Sequence, residues 1–272
     1  MNTFVSQVMA VNKTGGVIFL MKLSARLQVI ADELSLGCRM ADIGSDHALL
    51  PVYAVKNGKA SYAVAGEVND GPYEAARRQV AEAGEHSRIS VRKGDGLAVI
   101  RPGEVDTITI AGMGGALIVS ILASGIDKLT GVKRLVLQPN VGEEFVRNWL
   151  IENGWYLEKE QILEEDGKIY EVLTAISDPG AEALNKQLYQ DKTMDGSIVI
   201  NKPLLLRIGP RFIMNPSPIL LKKWQGEIAK LEKICRQVAL SDQEASRERE
   251  NEFRQEIEQL KEVLACWQKD RP

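Results

Sequence analysis

A chain of 272 residues with 44% hydrophobic content can bury one large core or two smaller ones. Lys+Arg 34 against Asp+Glu 37, a formal net charge of -3, gives no global basic field, so any nucleic-acid contact must come from a local patch. Three scattered cysteines (Cys38, Cys235, Cys266) and two histidines (His47, His86) offer neither a disulfide framework nor metal-ligand spacing, and no apolar run approaches the roughly 18 residues of a bilayer span. We therefore expect reduced thiols in the cytoplasm, no metal and no membrane.

The opening stretch, MNTFVSQVMAVNKTGGVIFL, lacks a basic leader region and a small-residue cleavage site, and it does not read as a signal peptide. It shows no periodicity that would dock it on a fold, and residues 1–20 are expected to be a disordered extension or a mis-assigned start before Met21. From Ser24, a reasonable cap, SARLQVIADELSL places Leu27, Ile30, Ala31 and Leu34 on one helical face. Strand-length apolar runs then recur at RMADIG, YAVAGEV, RISVRKG, DTITIAG and KRLVLQ. Helical patterns lie between them at HALLPVYAVKNG, GPYEAARRQVAEAG, GALIVSILASG and VGEEFVRNWLIENG, two of which end on glycines suited to C-caps, Gly84 and Gly154. The alternation predicts an α/β fold, a parallel sheet with helices on both faces. Two extended runs flanking Asp166-Gly167 then predict an antiparallel hairpin.

Past Pro179 the character changes. Residues 201–223 contain Lys202, Arg207, Arg211, Lys222 and Lys223 and no acid. Leu221, Trp224, Ile228, Leu231, Cys235 and Val238 follow steps of three and four, as do Phe253, Ile257, Leu260, Leu264 and Trp267. Such spacing predicts an antiparallel helical hairpin with a coiled-coil seam, or stripes packed on the first domain. We expect a catalytic domain over 21–182 and a helical module over 183–272.

In a doubly wound sheet the ligand lies beyond the C-terminal strand ends, and the polar residues of this sequence concentrate there. The first strand ends at Asp42 in DIGSDH, the second at Glu67, the third near Asp95, the fourth at Gly112–Gly115 and the fifth at Gln138-Pro139-Asn140. A pyrophosphate needs a first turn of the G-x-G-x-x-G kind, whereas this turn holds Gly44 alone between acids, which disfavours NAD. S-adenosyl-L-methionine has a zwitterionic end, a cationic sulfonium and no phosphate. Backbone amides around Gly44 and Ser45 suit its carboxylate, while Asp42 attracts its cations. Glu67 suits its ribose hydroxyls and Asp95 its adenine amino group, with Val68 and Leu97 flanking the ring. Gly96, Ala111, Gly112, Met113 and Gly114 complete the expected cofactor pocket.

Together "ADIGSDHALLP", "GEVNDGP", "KGDGL", "ITIAGMGGALI" and "LQPN" resemble the bacterial tRNA (adenine-22-N1)-methyltransferase family, from about Met21 to the end of the chain. The resemblance implies a class I methyltransferase fold, a Rossmann-like seven-stranded sheet with its last strand antiparallel. It also implies methyl transfer from S-adenosylmethionine to N1 of a tRNA adenine. The sequence departs at Leu49, where an aromatic is expected. His47 and Asp46 are the expected catalytic pair, orienting the base or accepting a proton. Gly115, Gln138 and Asn140, with Lys202, Arg207, Arg211, Lys222 and Lys223, are expected to meet the tRNA. A monomer or weak dimer is expected. Two other readings remain: a methyltransferase of small molecules or proteins, and a non-catalytic RNA-binding adaptor with a relic pocket.

Overall fold

The computed structural model describes residues 7–11, 17–195, 198–239 and 244–269. It divides into two compact units, Met1–Asn185 and Lys186–Pro272. Near the start, β1 (Gln7–Val11) and β2 (Val17–Met21) pair antiparallel in a sheet of their own. The rest of the stretch expected to be an extension, residues 1–6 and 12–16, lies outside the described residues.

The first unit is built on α1 (Ala25–Asp32), β3 (Cys38–Ile43), α2 (Leu49–Lys56), β4 (Ala60–Glu67), α3 (Asp70–Glu82), β5 (Ile89–Lys93), β6 (Thr107–Met113), α4 (Gly115–Ser124), β7 (Arg134–Pro139), α5 (Glu143–Glu152), β8 (Trp155–Glu165) and β9 (Lys168–Ser177). These make a seven-stranded sheet in the order β5-β4-β3-β6-β7-β9-β8. The five strands β3 to β7 are parallel, and β9 enters antiparallel between β7 and β8. Because β3 is flanked by β4 on one side and β6 on the other, its C-terminal end is the topological switch point at which ligands of such sheets bind.

Local chemistry accounts for these boundaries. Ser24 caps α1 by accepting the Leu27 N–H at 3.3 Å. Gly84 and Gly154 follow α3 and α5 at φ +71° and +70°, left-handed positions where a side chain would be strained. Asp166 and Gly167 both have positive φ between the paired Glu165 and Lys168, the type I′ geometry expected of a two-residue hairpin. The central strands are buried on both faces, with Met40, Ala41, Ile108, Ile110, Leu135, Val136 and Leu137 all inaccessible. Arg147 of α5 is buried against Glu160 and Glu171 at 2.7 and 2.5 Å, which ties that helix to the β8–β9 hairpin.

In the second unit, β10 (Lys192–Met194) and β11 (Ile198–Ile200) pair antiparallel, followed by α7 (Lys202–Ile208), α8 (Pro218–Val238) and α9 (Glu244–Lys269); α6 (Ala181–Leu188) spans the division between the units. Leu221, Trp224, Ile228, Leu231 and Cys235 of α8 are buried, as are Ile257, Leu260, Leu264 and Trp267 of α9. Cys235 lies against the Glu250 carbonyl and Glu232 pairs with Lys261, so the two helices run antiparallel. Among the described residues no helix is long and apolar enough to cross a membrane, and no group of three His, Cys, Asp or Glu side chains is placed to hold a metal.

Candidate active site

At the end of β3 the Asp42 carboxylate is buried, with one hydroxyl donor on each oxygen. Its Oδ1 accepts from Thr109 Oγ1 and its Oδ2 from Ser45 Oγ, each at 2.6 Å. Burial pushes its pKa up, against the pull of those two hydroxyls. Gly44 follows at φ +68°, a backbone conformation strained for any side chain, with the Met113 methyl seated against it. Asp46, His47 and Ala48 then take φ of 42°, 70° and 55° in succession. Left-handed backbone costs non-glycine residues about 1–2 kcal/mol each, so this turn is held by what surrounds it. The Gly44 and Ser45 N–H groups donate to the Gly66 carbonyl at 2.9 and 3.2 Å, and the Val52 N–H donates to the Ala48 carbonyl at 3.0 Å.

The left-handed turn brings the Asp46 backbone close enough to the carboxylate of Glu67, at the end of β4, to favour its charged form. Glu67 is buried, and its Oε1 has no hydrogen-bond partner. Burial raises its pKa, and the neighbouring charges of Asp42 and Asp46 raise it further, while the Asp46 N–H and His47 oppose. A buried acceptor without a donor costs about 1–3 kcal/mol, more when charged. Three acids converging on one end of the sheet favour a cationic ligand that also carries hydroxyl donors.

Beside Glu67, Val68 stands 54% exposed. Asp95 is exposed at the end of the β5 turn, and Gly96 at φ +50° leads to the buried Leu97. Asp95, Gly96 and Leu97 line one side of a cavity of about 330 Å³, with Leu117, Ser120 and Ile121 of α4 opposite. The cavity at Asp95–Leu97 is lined by none of Asp42, Gly44, Glu67 and Met113, whereas these four come together, Met113 against Gly44, at the switch point. His47 and Asp46 sit at its mouth, both side chains exposed, with Nε2 of one 3.5 Å from Oδ1 of the other.

The glycine segment at the end of β6 is zipped to the loop after β7. Asn140 N–H donates to the Met113 carbonyl, Asn140 Nδ2 to the Gly112 carbonyl and Gly115 N–H to the Val141 carbonyl, at 2.7 to 2.8 Å. A Cβ on Gly115 would lie 2.0 Å from the Gly142 carbonyl oxygen, so only glycine permits this approach. Gln138 is fully buried and its amide is engaged throughout. Oε1 accepts from Arg26 and the Gly112 N–H, and Nε2 donates to the Pro139 carbonyl and to Asn140. It braces the two loops from beneath. Leu49, where an aromatic was expected, is a buried core residue in the first turn of α2.

Three participants escaped the sequence reading. Thr109 holds Asp42 from the adjacent strand. Arg26 reaches from α1 to Gln138 at 2.6 Å with its guanidinium 5.3 Å from the Tyr170 ring centre. Phe145, in the first turn of α5, is 54% exposed beside this loop pair. In the second unit the acid-free segment is not acid-free in space, because Arg207 pairs with Glu256 of α9 at 3.1 Å. Lys192 joins the basic group instead: burial and the charge of Arg211 both depress its pKa.

A family model, TrmK: tRNA (adenine(22)-N(1))-methyltransferase, matches residues 40–262. The chain belongs to this family. It is 48% identical over 245 residues to the tRNA (adenine(22)-N(1))-methyltransferase of Bacillus subtilis (strain 168), covering 90% of this chain and 98% of the relative. The crystal structure of the B. subtilis family member TrmK superposes with a TM-score of 0.80 at 46% identity, over 89% of this chain and 99% of that one. The Streptococcus pneumoniae protein Sp1610, in complex with S-adenosyl-L-methionine, gives 0.73 at 37% identity, over 89% and 100%.

Proposed function

We infer that the chain transfers a methyl group from S-adenosylmethionine to N1 of adenine 22 of tRNA. The observation that carries this reading is Glu67, a buried carboxylate at the second strand end whose Oε1 lacks a donor. A ribose edge supplies two adjacent hydroxyl donors, and an anionic diphosphate would be repelled by Asp42, Asp46 and Glu67 together. The residues present fit S-adenosylmethionine. Glu67 would take its ribose, Asp95 its adenine amino group between Val68 and Leu97, and the acids about the Gly44–Ser45 turn its ammonium; the Gly44 and Ser45 N–H groups, expected to hold its carboxylate, are instead committed to the Gly66 carbonyl. Ala111, Gly112, Met113 and Gly114 would close the pocket.

When bound, the cofactor supplies a methyl carbon on a cationic sulfur, which the N1 lone pair takes as the carbon–sulfur electron pair returns to sulfur. Positive charge therefore passes to the adenine ring, and no residue has to remove a proton for the bond to form. The protein's task is placement, which supplies much of the rate in a reaction of this kind. N1 is blocked in a Watson–Crick pair, so the adenine must enter unpaired or extruded. His47 and Asp46 are positioned to orient its edge, and the acids nearby favour the cationic ring. Asn140 is exposed at the lip of the loop pair, where a flat base can lie, while Gly115, buried against the Gly142 carbonyl, and Gln138 hold the loops together.

For tRNA we assign residues 183–272 as the contacting module and 21–182 as the catalytic one. Lys202, Arg207, Arg211, Lys222 and Lys223 supply the phosphate contacts, with Lys192 beside Arg211. Cys38, Cys235 and Cys266 are buried and form no disulfide, which suits a cytoplasmic enzyme, and a monomer or weak dimer is enough. The test is transfer of a tritiated methyl group to bulk tRNA lacking the modification. We expect label recovered as 1-methyladenine; label on protein or small molecules, or none on tRNA, would replace this reading with one of its two rivals.

A further inference from the structure

We propose that Phe145 is the stacking platform for the target adenine, with Val141 forming the adjoining apolar edge. This rests on the tRNA adenine reading above and specifies the surface that receives the base. Val141 and Phe145 are 67% and 54% exposed, large apolar side chains left open beside the glycine segment at the end of β6. Exposure of one apolar side chain is ordinary, but this pair is built into the loop that borders the site. Gly142, between them, has φ +75°, and a Cβ on it would lie 2.9 Å from Phe145 Cδ2, so the ring lies directly over its backbone. On the other side, a Cβ on Gly114 would lie 4.0 Å from Val141 Cγ2, and Gly115 N–H bonds to the Val141 carbonyl at 2.8 Å. Phe145, Gly142, Gly114 and Val141 therefore adjoin one another, with Gly115 buried between the two loops and side chains only where an aromatic or aliphatic face is presented.

An adenine drawn out of its helix loses its stacking neighbours and needs a flat apolar partner, and protein aromatics supply this for unpaired bases. The reaction gives a second reason for an aromatic. The ring goes from neutral to cationic as the N1–carbon bond forms, and a cation over a π face is attracted more strongly than a neutral ring. Stacking on Phe145 is therefore stronger in the transition state than before it, the kind of interaction that raises kcat. Glu143 and Glu144, in the same first turn of α5, add negative charge that favours the cationic ring and disfavours phosphate. The surface thus suits the base and not the backbone of the RNA.

The test compares Phe145→Ala, Phe145→Leu and Phe145→Trp in the full chain, using unmodified tRNA, with melting temperature and cofactor affinity measured on each. Phe145→Ala should lower kcat/KM by roughly ten- to a hundredfold, with cofactor affinity and melting temperature close to the parent. Phe145→Leu, which keeps apolar area and fills the same space, should recover little of the loss in kcat. Phe145→Trp should recover most of it. Full activity of Phe145→Leu would overturn the proposal, as would activity of Phe145→Ala within twofold of the parent. A tRNA carrying 2-aminopurine at the target position gives an independent readout: its fluorescence on binding should be quenched by the parent and by Phe145→Trp, and not by Phe145→Ala. Equal quenching by all three would also overturn it. If the parent chain itself labels no tRNA, the methyltransferase reading fails, an outcome distinct from any difference among the variants.

Discussion

Replacing Glu67 separates a ligand-holding carboxylate from a structural one, because the two roles predict opposite effects on the ligand-free protein. Its Oε1 is buried with no partner, so the desolvation cost is already present before any ligand arrives. Ribose hydroxyls donating to the carboxylate would each contribute about 1.5–3 kcal/mol, since one partner is charged. For two such bonds the loss in Glu67→Ala is about 3–6 kcal/mol, or at least a hundredfold in Kd for S-adenosylmethionine. Glu67→Gln keeps the shape and one acceptor. It retains one ribose bond of the two, now to a neutral acceptor, so about half of the loss or somewhat more is expected.

The ligand-free protein supplies the control. Truncating a well-packed side chain at this depth usually lowers stability, but here the variant also deletes a buried acceptor that lacks a donor. Melting temperature of ligand-free Glu67→Ala should therefore equal or exceed that of the parent, while the upshift produced by cofactor is largely lost. Isothermal calorimetry with S-adenosylmethionine and thermal melts with and without it measure both quantities. An affinity within threefold of the parent would remove Glu67 from the site. A melting temperature that falls together with the affinity would make it a structural carboxylate.

Further outcomes follow from the same geometry. Burial raises the pKa values of Asp42 and Glu67, so the stability these acids contribute without ligand is present at acid pH and lost as pH rises through the raised values. Cofactor affinity should change in the opposite sense, weakening as pH falls from above the ordinary carboxylate range. Glu67→Gln should flatten that dependence in calorimetry. Gly115→Ala forces a Cβ to within 2.0 Å of the Gly142 carbonyl oxygen, which is backbone and cannot swing aside. It should lower the melting temperature and abolish transfer, whereas Gly84→Ala, with open space but φ +71°, should cost only about 1 kcal/mol of stability and leave transfer intact. His47→Asn, chosen because asparagine tolerates left-handed backbone, should slow transfer by roughly tenfold or more with cofactor affinity unchanged; an unchanged rate would leave His47 a turn residue. Replacing Lys202, Arg207, Arg211, Lys222 and Lys223 with Gln should flatten the salt dependence of tRNA binding by up to roughly 0.9 for each phosphate left without its cation, if the duplex DNA value carries over.

What the sequence could convey about this site follows from how far apart its partners lie in the chain. Asp42 and Glu67 were legible because an acid closing an apolar run marks a strand end, and strand ends in such a sheet meet at the switch point. The partners that complete them are separated by long intervals. Thr109 lies 67 residues from Asp42 and Arg26 lies 112 from Gln138. Neither shows a local pattern, since Thr109 reads as strand filler and Arg26 as the polar face of a helix. The left-handed turn was legible in part, for Asp46 is a residue type that tolerates positive φ, whereas Ala48 gives no such signal and is held there by its burial. Phe145 was concealed by periodicity. It stands four residues before the buried Trp149, so it reads as one more member of the apolar stripe on α5, yet the first turn of that helix carries it out over Gly142. The acid-free run 201–223 misled in the reverse direction, because a charge pattern counts neighbours along the chain and Arg207 finds Glu256 across the helix pair. Charge on a helical hairpin is decided between helices, so the surface that meets RNA phosphates is set by how the hairpin folds and not by the run of cations along the chain.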